Sequence, residues 1–246
     1  MIQLQGLTRR YGDFTALEPL DLEVARGEMF GFLGPNGAGK TTTIRMMMGI
    51  LVPSGGRALI SGLDCQAQRA EVQRHVGYLP DNPMFYDFLR GREILQFVAE
   101  MHGVPRDEAA ERTQRMLVEF GLAEALDEFA VNYSLGMKKK LGLACAMIHD
   151  PDVLILDEPI NGLDPRAARD VQERLRQAAA SGKTIFMSTH LLDMAERVCT
   201  RVGIVHRGEL VATGTLAELR ERVVQGGSLE EVFLRVTEEA PEAAPT

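Results

Sequence analysis

A glycine-rich segment near the N-terminus constrains this chain more than any other feature. It reads Gly34-Pro35-Asn36-Gly37-Ala38-Gly39-Lys40-Thr41-Thr42 and fits the pattern G-x-x-x-x-G-K-[ST] of a phosphate-binding P-loop. Residues 27–33 before it are typical of a short buried strand, and residues 42–48 after it are typical of a helix. The glycines allow successive backbone N–H groups to point at an anion beside the helix N-terminus, where the helix dipole favours negative charge. The segment therefore predicts a site for nucleotide phosphates.

Two side chains of this segment carry the expected chemistry. Lys40 is expected to reach the β- and γ-phosphates, which makes it a candidate for binding and catalysis. Thr41 is expected to give its hydroxyl to Mg²⁺, a hard cation that completes its shell with phosphate oxygens and water. The alternative interpretation, a glycine turn between unrelated elements, leaves the flanking strand and helix unexplained.

Length and composition narrow the possible classes of protein. A chain of 246 residues can form one large α/β domain or a core with a subdomain. The three scattered cysteines fit no disulfide or zinc pattern and indicate reduced thiols in a cytosolic protein. The net charge of −8 gives no overall basic field to attract nucleic acid, although local basic patches stay open. No apolar run approaches the ~20 residues that span a bilayer, and no signal peptide is evident, so we expect a soluble chain.

The hydrophobic pattern indicates three regions. Residues 1–33 alternate short apolar runs with turns, which predicts antiparallel strands with one covered face. Helical spacing replaces the strand pattern after the short strand 76–79, and we expect a helical subdomain at about 82–150 inserted in the sheet. One domain is expected over residues 1–237, followed by a disordered acidic tail at 238–246.

Polar residues follow two further apolar runs. Residues 153–156 predict a buried parallel strand, and Asp157 and Glu158 come at its carboxyl end, where ligands collect in open α/β sheets. Asp157 is a candidate for holding Mg²⁺, and Glu158 for orienting or deprotonating the water that attacks the γ-phosphate. The strand predicted at 184–187 is followed by His190. The plainer alternatives are solvated acids and a structural histidine.

The motifs together resemble those of the ATP-binding subunit of an ABC transporter over almost the whole chain. Residues 34–41 correspond to Walker A, 154–158 to Walker B, 161–164 to the D-loop and His190 to the switch histidine. Residues 133–137 correspond to the L-S-G-G-Q signature with Ser134 and Gly136 retained, whereas Leu135 and Met137 depart from it. This form of signature and the segment 228–234 resemble the bacterial daunorubicin-resistance branch of exporter ATPases.

The resemblance implies a fold, a reaction and partners. The fold is a P-loop NTPase core with a parallel sheet, an N-terminal antiparallel β subdomain and an inserted helical subdomain. The ligands are ATP and Mg²⁺, with Tyr11 stacking on adenine and with Glu158, His190 and Lys40 in catalysis. The partners are a second copy, whose Ser134 and Gly136 complete the site head to tail, and an integral-membrane permease pressed against residues 82–104. The protein would lie on the cytoplasmic face of the membrane and would drive export without binding nucleic acid.

Asp81 differs from the residue that the resemblance leads us to expect at its position. It occupies the position where most of the family has the glutamine of the Q-loop, a residue that contacts metal and water. A carboxylate accepts hydrogen bonds, donates none when ionised and adds negative charge. Asp81 is therefore a candidate metal ligand by position, and the alternative is that it caps a following helix.

Two other functions stay open. A soluble ABC-type ATPase that acts on ribosomes is expected to carry two cassettes. One that acts on the ends of DNA is expected to contain a long coiled coil. Neither feature is evident here. A GTPase or nucleotide switch is expected to carry N-K-x-D, and no asparagine of this chain precedes lysine. The sequence leaves the transported substrate open.

Overall fold

The computed structural model describes residues 1–223 and 229–238, and the chain divides into two compact units. The first unit contains Met1–Val72 and the chain from Phe186 onward, and the second contains Gln73–Ile185. In chain order the elements are β1 (Ile2–Tyr11), β2 (Phe14–Val24), β3 (Met29–Leu33), α1 (Lys40–Met47), β4 (Gly55–Ile60), β5 (Leu63–Asp64), α2 (Arg69–His75), β6 (Val76–Leu79), α3 (Gly91–Met101), α4 (Arg106–Glu119), α5 (Leu135–Met147), β7 (Val153–Asp157), α6 (Pro165–Ala180), β8 (Thr184–Thr189), α7 (Leu192–Val198), β9 (Arg201–His206), β10 (Glu209–Thr215), α8 (Leu216–Val223) and α9 (Leu229–Glu238).

The first unit begins with an antiparallel sheet in the order β2-β1-β4-β5. Strand β1 pairs with β2 and with β4, so that Ile2 lies opposite both Val24 and Ile60. Alternate residues of β1, including Leu4 and Leu7, are buried because successive side chains of a strand point to opposite faces. This sheet confirms the predicted N-terminal antiparallel region.

The first unit also contains a mixed sheet, with strands in the order β10-β9-β3-β8. Strand β3 runs parallel to β9, and β10 runs antiparallel to β9. Every residue of β3 is buried, and the rings of Phe30 and Phe32 lie 5.7 and 5.5 Å from the ring of Phe186 in β8. The predicted strand 27–33 is therefore a core strand that leads directly into the glycine-rich loop.

The second unit combines two parallel strands with helices. Strand β6 pairs with β7 so that Val76 lies opposite Val153, and α3, α4 and α5 lie between these strands in sequence. Helix α5 packs so close to β6 that a Cβ on Gly77 would lie 1.9 Å from the carbonyl oxygen of Ala146. Gly77 thus permits the helix to approach the strand, since any larger residue would separate them.

Several elements were missed by the sequence pattern. The short strand β5 and the short helices α2, α7 and α8 carry too few apolar repeats to be recognised. Helix α9 ends at Glu238, the first residue of the predicted tail, and residues 239–246 of that tail lie outside the described residues. Within 1–223 and 229–238, no helix has both the length and the apolar character needed to cross a bilayer.

Two histidines of the second unit stack on each other. His102 follows α3 and His149 follows α5, and their ring centroids lie 3.7 Å apart with an interplanar angle of 10°. Burial, followed by the neighbouring His102, lowers the pKa of His149 from 6.5 to about 4. Burial also lowers the pKa of His102. Their packing thus disfavours the protonated form of both rings.

We predict that this pair makes the fold sensitive to mild acid. Between about pH 7 and pH 5 the unfolded chain takes up a proton at position 149 that the folded chain does not, so stability falls as the pH falls. His149→Phe keeps a ring against His102 and removes this proton. Its melting temperature should therefore drop less than that of the wild type over the same pH interval, and an equal drop would contradict the assignment.

Candidate functional site

The glycine-rich loop of the first unit spans residues 34–39, between the end of β3 and the start of α1. A Cβ on Gly34 would lie 2.3 Å from the carbonyl oxygen of Val205 in β9. Gly39 has a φ of 104°, and a Cβ there would lie 2.8 Å from the carbonyl oxygen of Ala16. Backbone therefore occupies the space that side chains would need, and only glycine allows the loop to follow this path.

The loop has the electrostatic character of an anion site. Residues 35–37 are exposed, and Gly39 supplies no side chain to cap the N-terminus of α1, whose first turn contains no acidic residue. The Lys40 side chain is only 6% exposed, and its Nζ donates hydrogen bonds to the carbonyl oxygens of Gly34 at 2.7 Å and Pro35 at 3.1 Å. An ammonium and a helix N-terminus thus lie at the same loop, which suits a phosphate.

Tyr11 and His190 also belong to the first unit. Tyr11 is the last residue of β1 and is 47% exposed, and the guanidinium carbon of Arg9 lies 4.4 Å from the centroid of its ring. One face of the ring is covered by this cation–π contact, and the opposite face is the one suited to stacking. His190 is exposed and directly follows β8. The sequence pattern did not indicate Arg9, because its role depends on a contact between side chains.

In the second unit the two acids stand at the carboxyl end of β7, as predicted. The side chains of Asp157 and Glu158 are 1% and 7% exposed. Glu158 has a φ of 49°, in the left-handed region that costs energy for a residue with a side chain. Its carbonyl oxygen accepts hydrogen bonds from Lys139 Nζ and from the amide of Asn161 at 3.2 Å. These contacts hold the unfavourable backbone conformation in place.

Asp81 is connected to Glu158 through Lys139. The Nζ of Lys139 lies 3.2 Å from Oδ1 of Asp81, and the lysine side chain is 1% exposed. No helix starts at Asp81, since α3 begins at Gly91, so the alternative that Asp81 caps a following helix is wrong. A metal-binding role for Asp81 stays a prediction.

Sequence reasoning missed Lys139 as a functional candidate. In the sequence it is the middle residue of Lys138-Lys139-Lys140, which resembles a solvated basic run. The burial of Lys139 could have been expected from its place in α5, because neighbouring residues such as Leu141 and Leu143 are buried. Lysine is rarely fully buried without a partner, so such a position indicates a specific contact.

The signature and D-loop segments meet in the second unit. The hydroxyl of Ser134 caps α5 by accepting a hydrogen bond from the amide of Met137 at 3.2 Å. A Cβ on Gly162 would lie 2.8 Å from Cδ2 of Leu135, so the residue that departs from the usual signature packs against the D-loop. Asp164 caps α6, and hydrogen bonds from the backbone amides, first that of Ala167, lower its pKa. The structure thus assigns a helix-capping role to both Ser134 and Asp164.

Each unit carries part of the predicted set. The first unit contains the candidates Tyr11, residues 34–42 and His190. The second unit contains Asp81, Ser134, Gly136, Asp157 and Glu158. Within the second unit the structure joins Asp81 to the backbone of Glu158, as described above.

Comparison with known proteins assigns the chain to a family. A sequence profile described as ABC transporter matches residues 17–161, which is more than half of the chain. The chain belongs to the ABC transporter family. Its ABC relatives include YbhF of Escherichia coli (strain K12), named a probable multidrug ABC transporter ATP-binding protein, which is 39% identical over 220 residues. This match covers 89% of the present chain and 38% of YbhF, so the chain spans less than two thirds of that relative.

Two further ABC proteins agree with this assignment. The daunorubicin resistance ATP-binding protein DrrA3 of Streptomyces coeruleorubidus is 38% identical over 234 residues, which cover 95% of the present chain and 73% of that protein. A solved structure described as the ATP-binding subunit of an ABC transporter superposes with a TM-score of 0.90 at 35% identity. It covers 96% of this chain and 99% of the solved chain. The predicted α/β ABC ATPase fold is therefore confirmed.

We predict that Ser134 stabilises the fold through its cap, independently of any ligand. Ser134→Ala should lower the free energy of unfolding by about 0.5–2 kcal/mol, because the amide of Met137 loses its acceptor. Ser134→Asn is the matched control, since asparagine is a comparable N-cap and should keep the stability near that of the wild type. Urea unfolding of the ligand-free protein measures both, and equal stability of the alanine variant would contradict the capping role.

Proposed function

We propose that the chain is the ATP-binding and ATP-hydrolysing subunit of an ABC exporter, coupled to a separate integral-membrane permease. The observation that carries the proposal is the glycine-rich loop, where the buried Lys40 ammonium lies beside the uncapped N-terminus of α1. Family membership supports ATP as the nucleotide. The names of DrrA3 and YbhF, which refer to daunorubicin resistance and probable multidrug transport, support the direction of export.

In this proposal residues 34–42 bind the phosphates of ATP and Tyr11 stacks on adenine. Gly34 and Gly39 let the loop follow a path that suits a phosphate, since a Cβ at either position would lie within 3 Å of a main-chain carbonyl oxygen. The open face of the Tyr11 ring fits a flat base, because Arg9 already covers the other face.

Thr41 and Asp157 are the residues that would hold Mg²⁺. Their hydroxyl and carboxylate oxygens are the hard ligands this ion prefers, and the carboxylate of Asp157 is buried at a strand end. Within residues 1–223 and 229–238, no cluster of three or more acidic, histidine or cysteine side chains could hold a metal alone. Two protein ligands, Thr41 and Asp157, are enough for Mg²⁺, because this ion usually keeps waters and phosphate oxygens as its other ligands. Bound there, Mg²⁺ supplies positive charge that offsets the charge of the phosphates.

Hydrolysis then needs a proton acceptor and a stabilised leaving group. Glu158 orients the attacking water and accepts its proton while the oxygen of that water bonds to the γ-phosphorus and the bond to the β–γ bridging oxygen breaks. Lys40 stabilises the charge that develops on the phosphate oxygens. His190 contributes a polar contact to the γ-phosphate, as the family motif implies.

A second copy of the chain would complete each site. The exposed Ser134 and the following Gly136 lie at the start of α5, whose first turn contains no acidic residue. This helix N-terminus would bind the γ-phosphate of ATP held by the partner and lose that contact after hydrolysis. ATP thereby favours the closed head-to-tail dimer by differential binding.

An exposed apolar surface of the second unit supports a protein partner. Its members project from the segment before α3 and from α3 itself. They are Met84 (92% exposed), Tyr86 (75%), Phe88 (80%), Phe97 (53%) and Met101 (70%). Three of them, Tyr86, Phe88 and Phe97, line the same pocket, and exposed apolar side chains grouped in this way mark interaction sites. We infer that this surface, which lies within residues 82–104, contacts cytoplasmic helices of the permease and places the protein on the inner face of the membrane.

We predict that Glu158→Gln separates ATP binding from turnover. The substitution removes the proton acceptor and leaves the glycine-rich loop intact, so turnover should fall by about 100-fold or more while ATP affinity is kept. The ATP-bound dimer should accumulate and elute earlier in gel filtration. Steady-state hydrolysis at the wild-type rate would remove Glu158 from the mechanism.

We predict that the apolar surface is needed for coupling and not for chemistry. Tyr86→Ser with Phe88→Ser should abolish copurification with the membrane protein encoded beside this chain, while hydrolysis by the isolated chain stays within about twofold of the wild type. Val118→Ser is the control, because Val118 is exposed on α4 outside this surface. Unchanged copurification of the double variant would contradict the docking role of this surface. A wild-type chain that copurifies with no membrane protein would favour the alternative of an ATPase or nucleotide switch that acts without a membrane partner.

A further inference from the structure

Lys139 has an environment that its sequence neighbours lack. Its side chain is 1% exposed, and its Nζ donates hydrogen bonds to Oδ1 of Asp81 at 3.2 Å and to the main-chain carbonyl of Glu158. The next residue, Lys140, also contacts a carboxylate, that of Asp170 at 3.3 Å, but its side chain is 18% exposed and that of Asp170 is 55% exposed. The two lysines of α5 therefore differ in burial, whereas both carboxylate partners are exposed, that of Asp81 to 41%.

Because Lys139 is buried, its contacts are needed to offset the cost of removing its charge from water. An ammonium taken out of water is strongly unfavourable unless a carboxylate and further hydrogen-bond acceptors surround it. An ammonium has three N–H donors. Here one of them donates to a side chain in the segment after β6, and another donates to the main-chain carbonyl of the residue after β7. Lys139 thus ties three segments of the second unit together at one atom.

The contact with Glu158 bears on the proposed chemistry. Glu158 adopts a φ of 49°, and such a conformation persists only where the surroundings enforce it. Its carbonyl is held by two donors, Lys139 Nζ and the amide of Asn161. Both donors hold the peptide plane that follows Glu158, which restricts the backbone of this left-handed residue and thereby the direction in which its side chain leaves it.

We propose that Lys139 is a positioning residue for hydrolysis, and this inference rests on the proposed role of Glu158. From α5 it donates a hydrogen bond to the carbonyl of Glu158 and stabilises the left-handed conformation of that residue. This conformation directs the carboxylate toward the attacking water. Its second contact neutralises Asp81, the carboxylate that stands where most of the family has glutamine. The departure at Asp81 is therefore matched by a buried cation of the same unit.

The test compares a single and a double substitution by steady-state ATP hydrolysis and thermal unfolding. Lys139→Met removes the ammonium and keeps an unbranched side chain of similar length. Turnover per folded molecule should fall about 10- to 100-fold, as expected for a displaced catalytic group, while KM for ATP stays within about twofold. Lys140→Met, which breaks the more exposed ion pair of the same helix, should leave kcat within about twofold of the wild type.

The double variant Asp81→Asn with Lys139→Met separates positioning from charge balance. It leaves no unpaired charge, so its melting temperature should return toward that of the wild type even if the single variant folds poorly. Its kcat should stay as low as that of Lys139→Met, because the donor to the Glu158 carbonyl is still missing. Recovery of kcat together with stability would overturn the proposal, since Lys139 would then act only by neutralising Asp81.

Glu158→Gln, measured in parallel, distinguishes failure of the positioning role of Lys139 from failure of the proposed role of Glu158. If Glu158→Gln is inactive and Lys139→Met turns over at the wild-type rate, the positioning role is wrong and the proposed function stands. If Glu158→Gln is itself active, the role of Glu158 fails, and the positioning role of Lys139 fails with it.

Discussion

The complete burial of strands β3, β7 and β8 is the constraint on which the arrangement of this protein depends. Every residue of these strands is buried, so polar side chains are confined to their ends. The glycine-rich loop follows β3, the acids Asp157 and Glu158 stand at the end of β7, and His190 follows β8. The functional residues are thus separated in sequence and share one structural position, the carboxyl end of a buried strand.

Two buried lysines stand next to these strand ends, and both are held by main-chain carbonyl groups. Lys40 donates to Gly34 and Pro35 in the first unit, and Lys139 donates to Glu158 in the second. A main-chain acceptor fixes the position of an ammonium without adding a full negative charge. These contacts hold Lys40 at the glycine-rich loop, and Lys139 also contacts the carboxylate of Asp81. The same residue type therefore serves binding in one unit and, in our proposal, backbone geometry in the other.

Local sequence patterns were sufficient for the features that depend on neighbouring residues. The glycine-rich loop, the strand before it and the acids at the end of β7 all follow from spacing within a few residues, and the match to known ABC proteins confirms the fold. Patterns of this kind carry no information on contacts between distant segments. The pairing of Lys139 with Asp81, which are 58 residues apart, was therefore missed, and helix capping by Asp81 was predicted as an alternative and is wrong. The contact of Arg9 with Tyr11 was missed for another reason, since it depends on the side-chain conformations of two residues on the same strand.

Calorimetric titration of Mg²⁺ and ATP into the purified chain and its Lys40→Ala variant tests directly whether the Lys40 ammonium and the N-terminus of α1 form the phosphate site. The variant should stay folded and lose most of its ATP affinity, because the removed charge contacts the phosphates before any bond is broken. An ATP affinity equal to that of the wild type would contradict this role of Lys40.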